Sequence, residues 1–384
     1  MKKYYSYLII FMLITCLFLC FFTTSLCDNS LSAEENYNKG QGMIDEKKYE
    51  EAIPYFEKAI EIDSNYANAY FKLGWCKDTL QKYEEAIEAY KNAITIDPTY
   101  YIAYNNMGSV YRKLKNYDEA INSLNKAIEI KSDYGYPYYN LGRISTDKKD
   151  YPQAVIYYKK AIKYNPDYKW SYFYLGDTLD DINIKLYEEA VEAYLGFIKI
   201  DSKYANAYSK LGYTYRKIGE YDKAIEVIEK AIQLQTDYYY YYYCLALAYA
   251  DKKLYGEAAK NYKKAVKLNP KDKFSYYGLG YSLDKDEFYE EAIEAYKEAI
   301  SIDKAYLDAY NNLGLDYKKL GRYKEAIEPL KEAIKINPKY ANAHYNLGLV
   351  YHELEDKDSA MQEYEILKEL NASFAGELLK IISE

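Results

Sequence analysis

The sequence predicts an all-α solenoid of stacked antiparallel helix pairs. Three observations carry that prediction. The segment Ala67–Tyr100 (ANAYFKLGWCKDTLQKYEEAIEAYKNAITIDPTY) recurs in variant form about every 34 residues, almost to the end of the 384-residue chain. Within each copy the apolar residues fall into two runs at helical spacing. Gly and Ala recur at fixed places in those runs, where close approach of two helices accounts for the missing side chain. A period of this length marks a repeat architecture with one continuous core, and it uses up nearly the whole chain.

Ten copies begin at Ala33, Ala67, Tyr101, Gly135, Lys169, Ala205, Tyr239, Lys273, Leu307 and Ala341. Copy five carries two extra residues around Asp181–Leu186. Counting from the start of each copy, a Leu-Gly pair or close relative holds positions 7 and 8, as in Leu73-Gly74, Met107-Gly108, Leu141-Gly142 and Leu347-Gly348. Positions 4, 7, 8 and 11 share one face of a first helix, and positions 20, 24 and 27 share one face of a second. Ala stands at position 20 in every copy, from Ala52 to Ala360, and Tyr at position 17 in nine, from Tyr49 to Tyr323. Gly inside a helix costs about 1 kcal/mol, so its recurrence at position 8 implies tight packing between the two helices. Pro98, Pro166, Pro270 and Pro338 at position 32 stop the second helix, because the residue before Pro avoids the α region. A turn such as Lys217-Ile218-Gly219-Glu220-Tyr221 joins the pair.

The two ends differ from the middle. Copy one has Asn36 and Lys39 where other copies have Tyr and Leu, which makes its first helix more polar, as a terminal repeat requires. The run Phe374–Ile382 (FAGELLKII) predicts a short extra helix that caps the last repeat, over residues 375–384.

The Tyr–Leu-Gly–Tyr run of the first helix, Ala at position 20, Tyr or Leu at 24, Ala at 27 and Pro at 32 together resemble the tetratricopeptide repeat (TPR) family over residues 33–374. The resemblance implies a right-handed superhelix with a concave peptide-binding groove. Departures are few. Lys77 and Ser145 replace the usual apolar residue at position 11, and Phe197 replaces Ala at position 27 of copy five. With its insertion, copy five is where a local change of curvature is expected.

Residues 1–27 read as a targeting segment: Lys2 and Lys3, an apolar run over Leu8–Phe22, and a smaller, more polar stretch to Cys27. The uncharged Tyr4–Cys27 stretch also has the length of an uncleaved membrane anchor. A signal cleaved after Cys27, an anchor and a lipoprotein lipidated at Cys27 stay open, with residues 28–32 as a short linker. In each case the positive end stays inside, and the repeats are expected outside the cytoplasm, in the cell envelope.

Composition narrows the function classes. The net charge is −8 with no basic stripe, which argues against nucleic acid. Many of the 55 tyrosines occupy repeat positions 4, 11, 17, 24 and 34, and these are packing residues. Beyond Cys27 only Cys76 and Cys244 remain, too far apart for a disulfide. His344 replaces the common Tyr of position 4 and is expected in the core; it stands eight residues from His352, which is expected toward the groove, so the two do not make a helical metal pair. Acid pairs such as Glu84-Glu85, Glu188-Glu189 and Glu290-Glu291 suit the start of the second helix. No phosphate-binding loop or catalytic constellation is present, so neither enzyme activity nor a cofactor or metal is expected. The Asn371-Ala372-Ser373 sequon is a single short match.

In TPR arrays, positions 2, 5, 6, 9, 12 and 13 of the first helix tend to line the concave side. Here those positions carry Trp75, Tyr136, Tyr139, Trp170, Phe173, Tyr213, Tyr240, Tyr243, Phe274, Tyr277 and Tyr281. Position 6 adds Asn106, Asn140, Asn312 and Asn346, whose amides can donate to and accept from a peptide backbone. This resembles, in part, the asparagine ladder of the O-linked N-acetylglucosamine transferases. The chaperone-type carboxylate clamp is not matched, since positions 2 and 5 hold no Lys or Arg. The expected function is a non-catalytic scaffold of the cell envelope that binds a partner peptide or helix in the groove. The alternative is a carbohydrate- or peptidoglycan-binding module that uses the same rings as stacking platforms.

Overall fold

The computed structural model describes residues 31–181 and 184–383. The expected leader over 1–27, residues 28–30 of the linker, residues 182–183 of the copy-five insertion, and Glu384 lie outside the described residues. The described chain contains helices and turns and no strand. It divides into two compact units, one ending at Asn165 and one starting at Pro166.

In the first unit the helices are α1 (Ala33–Asp45), α2 (Tyr49–Ile62), α3 (Ala67–Thr79), α4 (Tyr83–Ile96), α5 (Tyr101–Lys113), α6 (Tyr117–Ile130), α7 (Gly135–Asp147) and α8 (Tyr151–Tyr164). The second unit holds α9 (Lys169–Asp180), α10 (Tyr187–Ile200), α11 (Ala205–Lys217), α12 (Tyr221–Leu234), α13 (Tyr239–Asp251), α14 (Tyr255–Leu268), α15 (Lys273–Lys285), α16 (Tyr289–Ile302), α17 (Leu307–Lys319), α18 (Tyr323–Ile336), α19 (Ala341–Glu353), α20 (Lys357–Leu370) and α21 (Ala372–Ser383). Within each unit consecutive helices pack together, first helix on second and second on the next first. None of these helices is long and apolar enough to cross a membrane.

Outside copy five, with its insertion, the turn inside each pair is the same. Position 15 takes a left-handed backbone, as at Lys47 (φ 62°) and Gln81 (φ 61°), with Gly there only at Gly219 and Gly321. The Lys47 and Lys48 amides donate back to the Ile44 and Met43 carbonyls, and Gln81 and Lys82 repeat the pattern, closing the first helix in a Schellman motif. After the second helix the chain extends at position 31, and the Asp63 and Asp97 carboxylates accept from amides two residues on.

Close approach defines the pair. Every position-20 alanine is fully buried, from Ala52 to Ala360. A β-carbon at position 8 would stand 2.9 Å from the Tyr90 ring in copy two, 2.6 Å from Tyr158 in copy four and 2.8 Å from Tyr296 in copy eight. The position-24 side chain therefore occupies the space that the glycine leaves. Copy ten fills it differently: Leu378 of α21 lies over Gly348, where a β-carbon would be 2.5 Å away. That helix starts at Ala372, three residues before the boundary read from sequence, and buries Ala375, Leu378 and Ile382.

Candidate partner-binding face

Within each unit, copy five with its insertion apart, first helices of neighbouring copies touch through residues 35 apart, so position p of one copy meets position p+1 of the next. In the first unit Asn140 donates to Asn105 (3.0 Å), which donates to Asn106 (3.0 Å). In the second unit Asn346 donates to Asn311 (3.0 Å), Asn311 to Asn312 (3.2 Å), and Asn312 to the Tyr277 hydroxyl (3.2 Å). Ser209 and Cys244 make the corresponding contact, with the Ser hydroxyl donating to Sγ at 3.9 Å. Asn140 and Asn346 thus spend an amide hydrogen on the position-5 asparagine of the preceding copy, Asn312 spends one on Tyr277, and Asn140 is buried.

Charges follow the same offset. Copies three, six and nine carry a basic pair at positions 12 and 13: Arg112-Lys113, Arg216-Lys217 and Lys318-Lys319. Flanking copies supply the acids. Arg112 pairs with Asp147 (3.1 Å), Lys113 with Asp78 (2.6 Å), Arg216 with Asp251 (2.9 Å), and Lys319 with Asp284. Asp284 also sits beside the buried Asp316 of α17. Burial, with Asp284 adjacent, pushes Asp316 up to about 8. Burial acts to raise Asp284 too, but hydrogen bonds from Asp316 and Lys319 outweigh it and hold Asp284 low. The pair therefore gives up its last proton well above the ordinary carboxylate range. The three-copy rhythm of charge is visible in the sequence, but only once the one-position offset between neighbouring first helices is known.

The position-5 rings turn out to be packing residues in part. Phe71 lies 5.8 Å from the position-24 ring of Tyr90 and 5.0 Å from the position-34 ring of Tyr100. Tyr277 sits likewise between Tyr296 (5.8 Å) and Tyr306 (5.1 Å). Tyr139 packs 6.2 Å from Tyr158 and accepts from Arg143. Phe173 is 6 % exposed, enclosed by Trp170, Tyr194, Phe197 and Tyr204. Phe197, where other copies have Ala, draws Phe173 inward. Phe173 and Asn140 are therefore interior residues and leave the set of candidate contacts. Trp170 is half-buried against Phe197 and Tyr204.

Position 9 looks partly toward the preceding copy: Trp75 stands 5.5 Å from Tyr49, and Tyr281 stands 6.3 Å from Tyr255. Tyr213 is covered by Arg216 at 5.0 Å and Lys217 at 5.1 Å. Tyr136 leans on Tyr134 (5.2 Å), and Tyr240 stacks on Tyr243 (5.8 Å).

Four of the candidates do converge. Tyr243 of α13 and Phe274, Tyr277 and Tyr281 of α15 line one hollow of about 430 Å³. Leu247, Ala250, Asp251, Tyr262, Gly278 and Tyr306 complete it. Phe274 is 52 % exposed and Tyr281 37 %. Tyr262 and Gly278 were missed in the sequence because position 24 is a core position and Gly278 falls outside the Leu-Gly pair. The signal is a double departure: Ala246 in place of Gly at position 8, and Gly278 at position 6, one copy later.

His344 is 3 % exposed, within the core of the last copy. Its Nδ1 lies 2.6 Å from the Glu363 carboxylate and its Nε2 3.0 Å from the Pro338 carbonyl. The Glu363 carboxylate and the Pro338 carbonyl both favour a protonated ring. Burial lowers its pKa, but these hydrogen bonds outweigh burial and raise it. Cys76 and Cys244 are free, buried thiols, each raised to about 11 by burial. Among the described residues no cluster of His, Cys, Asp or Glu could hold a metal ion.

Tandem helical hairpins, packed one on the next within each unit, make an α-solenoid that serves as a protein–protein interaction scaffold. Models of the tetratricopeptide repeat match residues 101–134, 135–168, 157–192, 205–238, 239–272 and 341–374, and a TPR repeat model matches 40–75, 79–115, 289–321 and 314–355. These matches span well over half of the sequence, and the chain belongs to the tetratricopeptide repeat family. Comparison with curated proteins gives no match. Similar solved structures include the MamA protein (28% identity over 45% of this chain and 93% of that one, TM-score 0.42). Others are YrrB, a TPR protein with an unusual peptide-binding site (25%, 48% and 95%, TM-score 0.42), and yeast Tom70 (18%, 91% and 94%, TM-score 0.39).

Proposed function

We propose that the first-helix face of the second unit binds an extended partner segment, and that it reads that segment through aromatic and apolar contact rather than charge. The observation that carries this reading is the hollow between α13 and α15, a concavity of ligand-pocket size whose walls are mostly rings. Two further features support it. Arg216 and Asp251 neutralise one another beside the hollow, as Lys319 and Asp284 do on the neighbouring copies. Tyr and Phe also give large contact area at low entropy cost, which suits them to hot spots. We further propose that the chain works outside the cytoplasm in the cell envelope; the motive is the pattern of Lys2-Lys3 followed by the apolar Leu8–Phe22 run.

The test is selection of short random peptides displayed on phage against the full chain. Aromatic-bearing peptides are expected to enrich, to bind with little dependence on salt, and to be lost on Phe274→Ser with Tyr281→Ser. Enrichment of basic or acidic peptides, or binding that survives both substitutions, would sink the reading. Competition by peptidoglycan fragments would favour the glycan-binding alternative.

A further inference from the structure

The hollow is made by two departures from the repeat that compensate each other. In copies two, four, five and eight the position-24 tyrosine stands within 3 Å of where a position-8 β-carbon would be. Copy seven has that β-carbon, in the fully buried Ala246. Tyr262 therefore cannot lie where Tyr90, Tyr158, Tyr194 and Tyr296 lie. It leans toward the next copy instead, and Gly278 receives it: a β-carbon at 278 would be 2.4 Å from Tyr262 Cζ and 2.8 Å from its hydroxyl oxygen. With no side chain at 278, the space between α13 and α15 stays open and ringed by aromatics.

The charges at this hollow say what fits. Its one carboxylate, Asp251, is held by Arg216 at 2.9 Å. Its rim rings already face a cation, since the Lys273 ammonium lies 5.0 Å from the Phe274 ring and 5.2 Å from the Tyr306 ring. Lys273 is itself paired with Asp303 at 2.5 Å. An incoming ammonium or guanidinium would find the aromatic faces and the carboxylate engaged and the like charges of Arg216, Lys273 and Lys285 nearby. An uncharged ring carries no charge to be repelled and can pack against the exposed Phe274 ring.

We infer that the Ala246/Gly278 exchange has turned this junction into an anchor pocket for one uncharged aromatic side chain of the partner segment. The inference rests on the reading that this face takes up a partner, and it names the side chain that fixes the register.

The probe is N-acetyl-tryptophanamide, with N-acetyl-lysinamide and N-acetyl-alaninamide as comparisons. The full chain is labelled with fluorophenylalanine, and the Phe274 resonance is assigned by Phe274→Leu. The tryptophan amide should shift the Phe274 fluorine signal saturably and the other two should not. The double variant Ala246→Gly with Gly278→Asn restores residues common in other copies, lets Tyr262 swing back and fills the hollow. It should weaken the shift about thirtyfold, which is about 2 kcal/mol. Leu247→Trp, which places at position 9 the residue that copy two has at Trp75, should plug the same space and give the same loss. An equal or stronger response to the lysine amide would overturn the assignment, as would an unchanged response in both filled variants. If displayed aromatic peptides bind while Phe274 stays unmoved, the anchor pocket fails and the wider face survives. If those peptides fail as well, both fall.

Discussion

Gly212→Ala isolates the feature on which the fold depends. Gly212 sits at position 8 of α11, and a β-carbon there would lie 2.3 Å from Ile228 Cγ1, 2.8 Å from its Cδ1 and 3.1 Å from the Ala224 carbonyl oxygen. Ile228 is fully buried, and its Cγ1 would have to retreat by more than 1 Å to reach the ordinary contact distance of 3.4–4 Å. Replacing Gly by Ala in a helix should gain about 1 kcal/mol. Overpacking of this kind costs about 1–3 kcal/mol, so a net loss of about 1 kcal/mol is expected. Gly42→Ala and Gly376→Ala are the controls. Nothing lies within 4 Å of a β-carbon at either site, and each should gain about 1 kcal/mol. Urea titration followed by circular dichroism reads the shift in midpoint at constant slope. Hydrogen exchange of α11 and α12 amides localises it, which matters because arrays need not unfold in two states. Ile228→Ala should be less damaging in the Gly212→Ala background than alone, since the added methyl occupies part of the vacated space. If Gly212→Ala stabilises as much as Gly42→Ala, the close-approach explanation of the recurring glycine is wrong.

Other predictions concern ionisation. Asp316 binds a proton more tightly folded than unfolded, so it makes stability fall as pH rises between the ordinary value of 3.8 and about 8. Asp316→Asn should remove that slope, and the variant-minus-wild-type difference in melting temperature should grow with pH across this window; a constant difference contradicts the buried-proton assignment. His344 acts in the same direction. Its imidazolium stabilises the last copy fully below the unfolded value of 6.5, and that contribution is lost as pH rises through the raised folded value. His344→Tyr, the residue common at position 4, should abolish this loss. Unchanged pH dependence of α19 and α20 hydrogen exchange would show that the ring is not charged.

The fold was legible because a position repeated ten times averages out individual accidents. Ala at 20, Gly at 8 and Pro at 32 each have one physical explanation, and the helices start where the copies start. The face was less legible. Spacing tells which way a residue leans, but not what fills the space beside it. Phe173 leans with Tyr139 and Tyr243, yet it is buried because Phe197 fills the pair beneath it. Asn140 leans outward with Lys72 and Lys210, yet Asn105 of the preceding copy draws its amide inside. The charge matching of copies three, six and nine shows only when each copy is shifted by one position against the next, and aligning the copies start to start hides it. The hollow depends on two single-residue departures that a search for recurrence passes over.

The most direct test of the account uses a photo-crosslinking residue at position 281 or at position 302. Tyr281 and Ile302 are equally exposed, at 37 % each, but one belongs to first helix α15 and the other ends second helix α16. Each labelled full chain is irradiated with an aromatic-bearing peptide recovered by display. Capture from position 281 and none from position 302 is the predicted result. Capture from position 302, or equal capture from both, would contradict a partner segment held along the first-helix face.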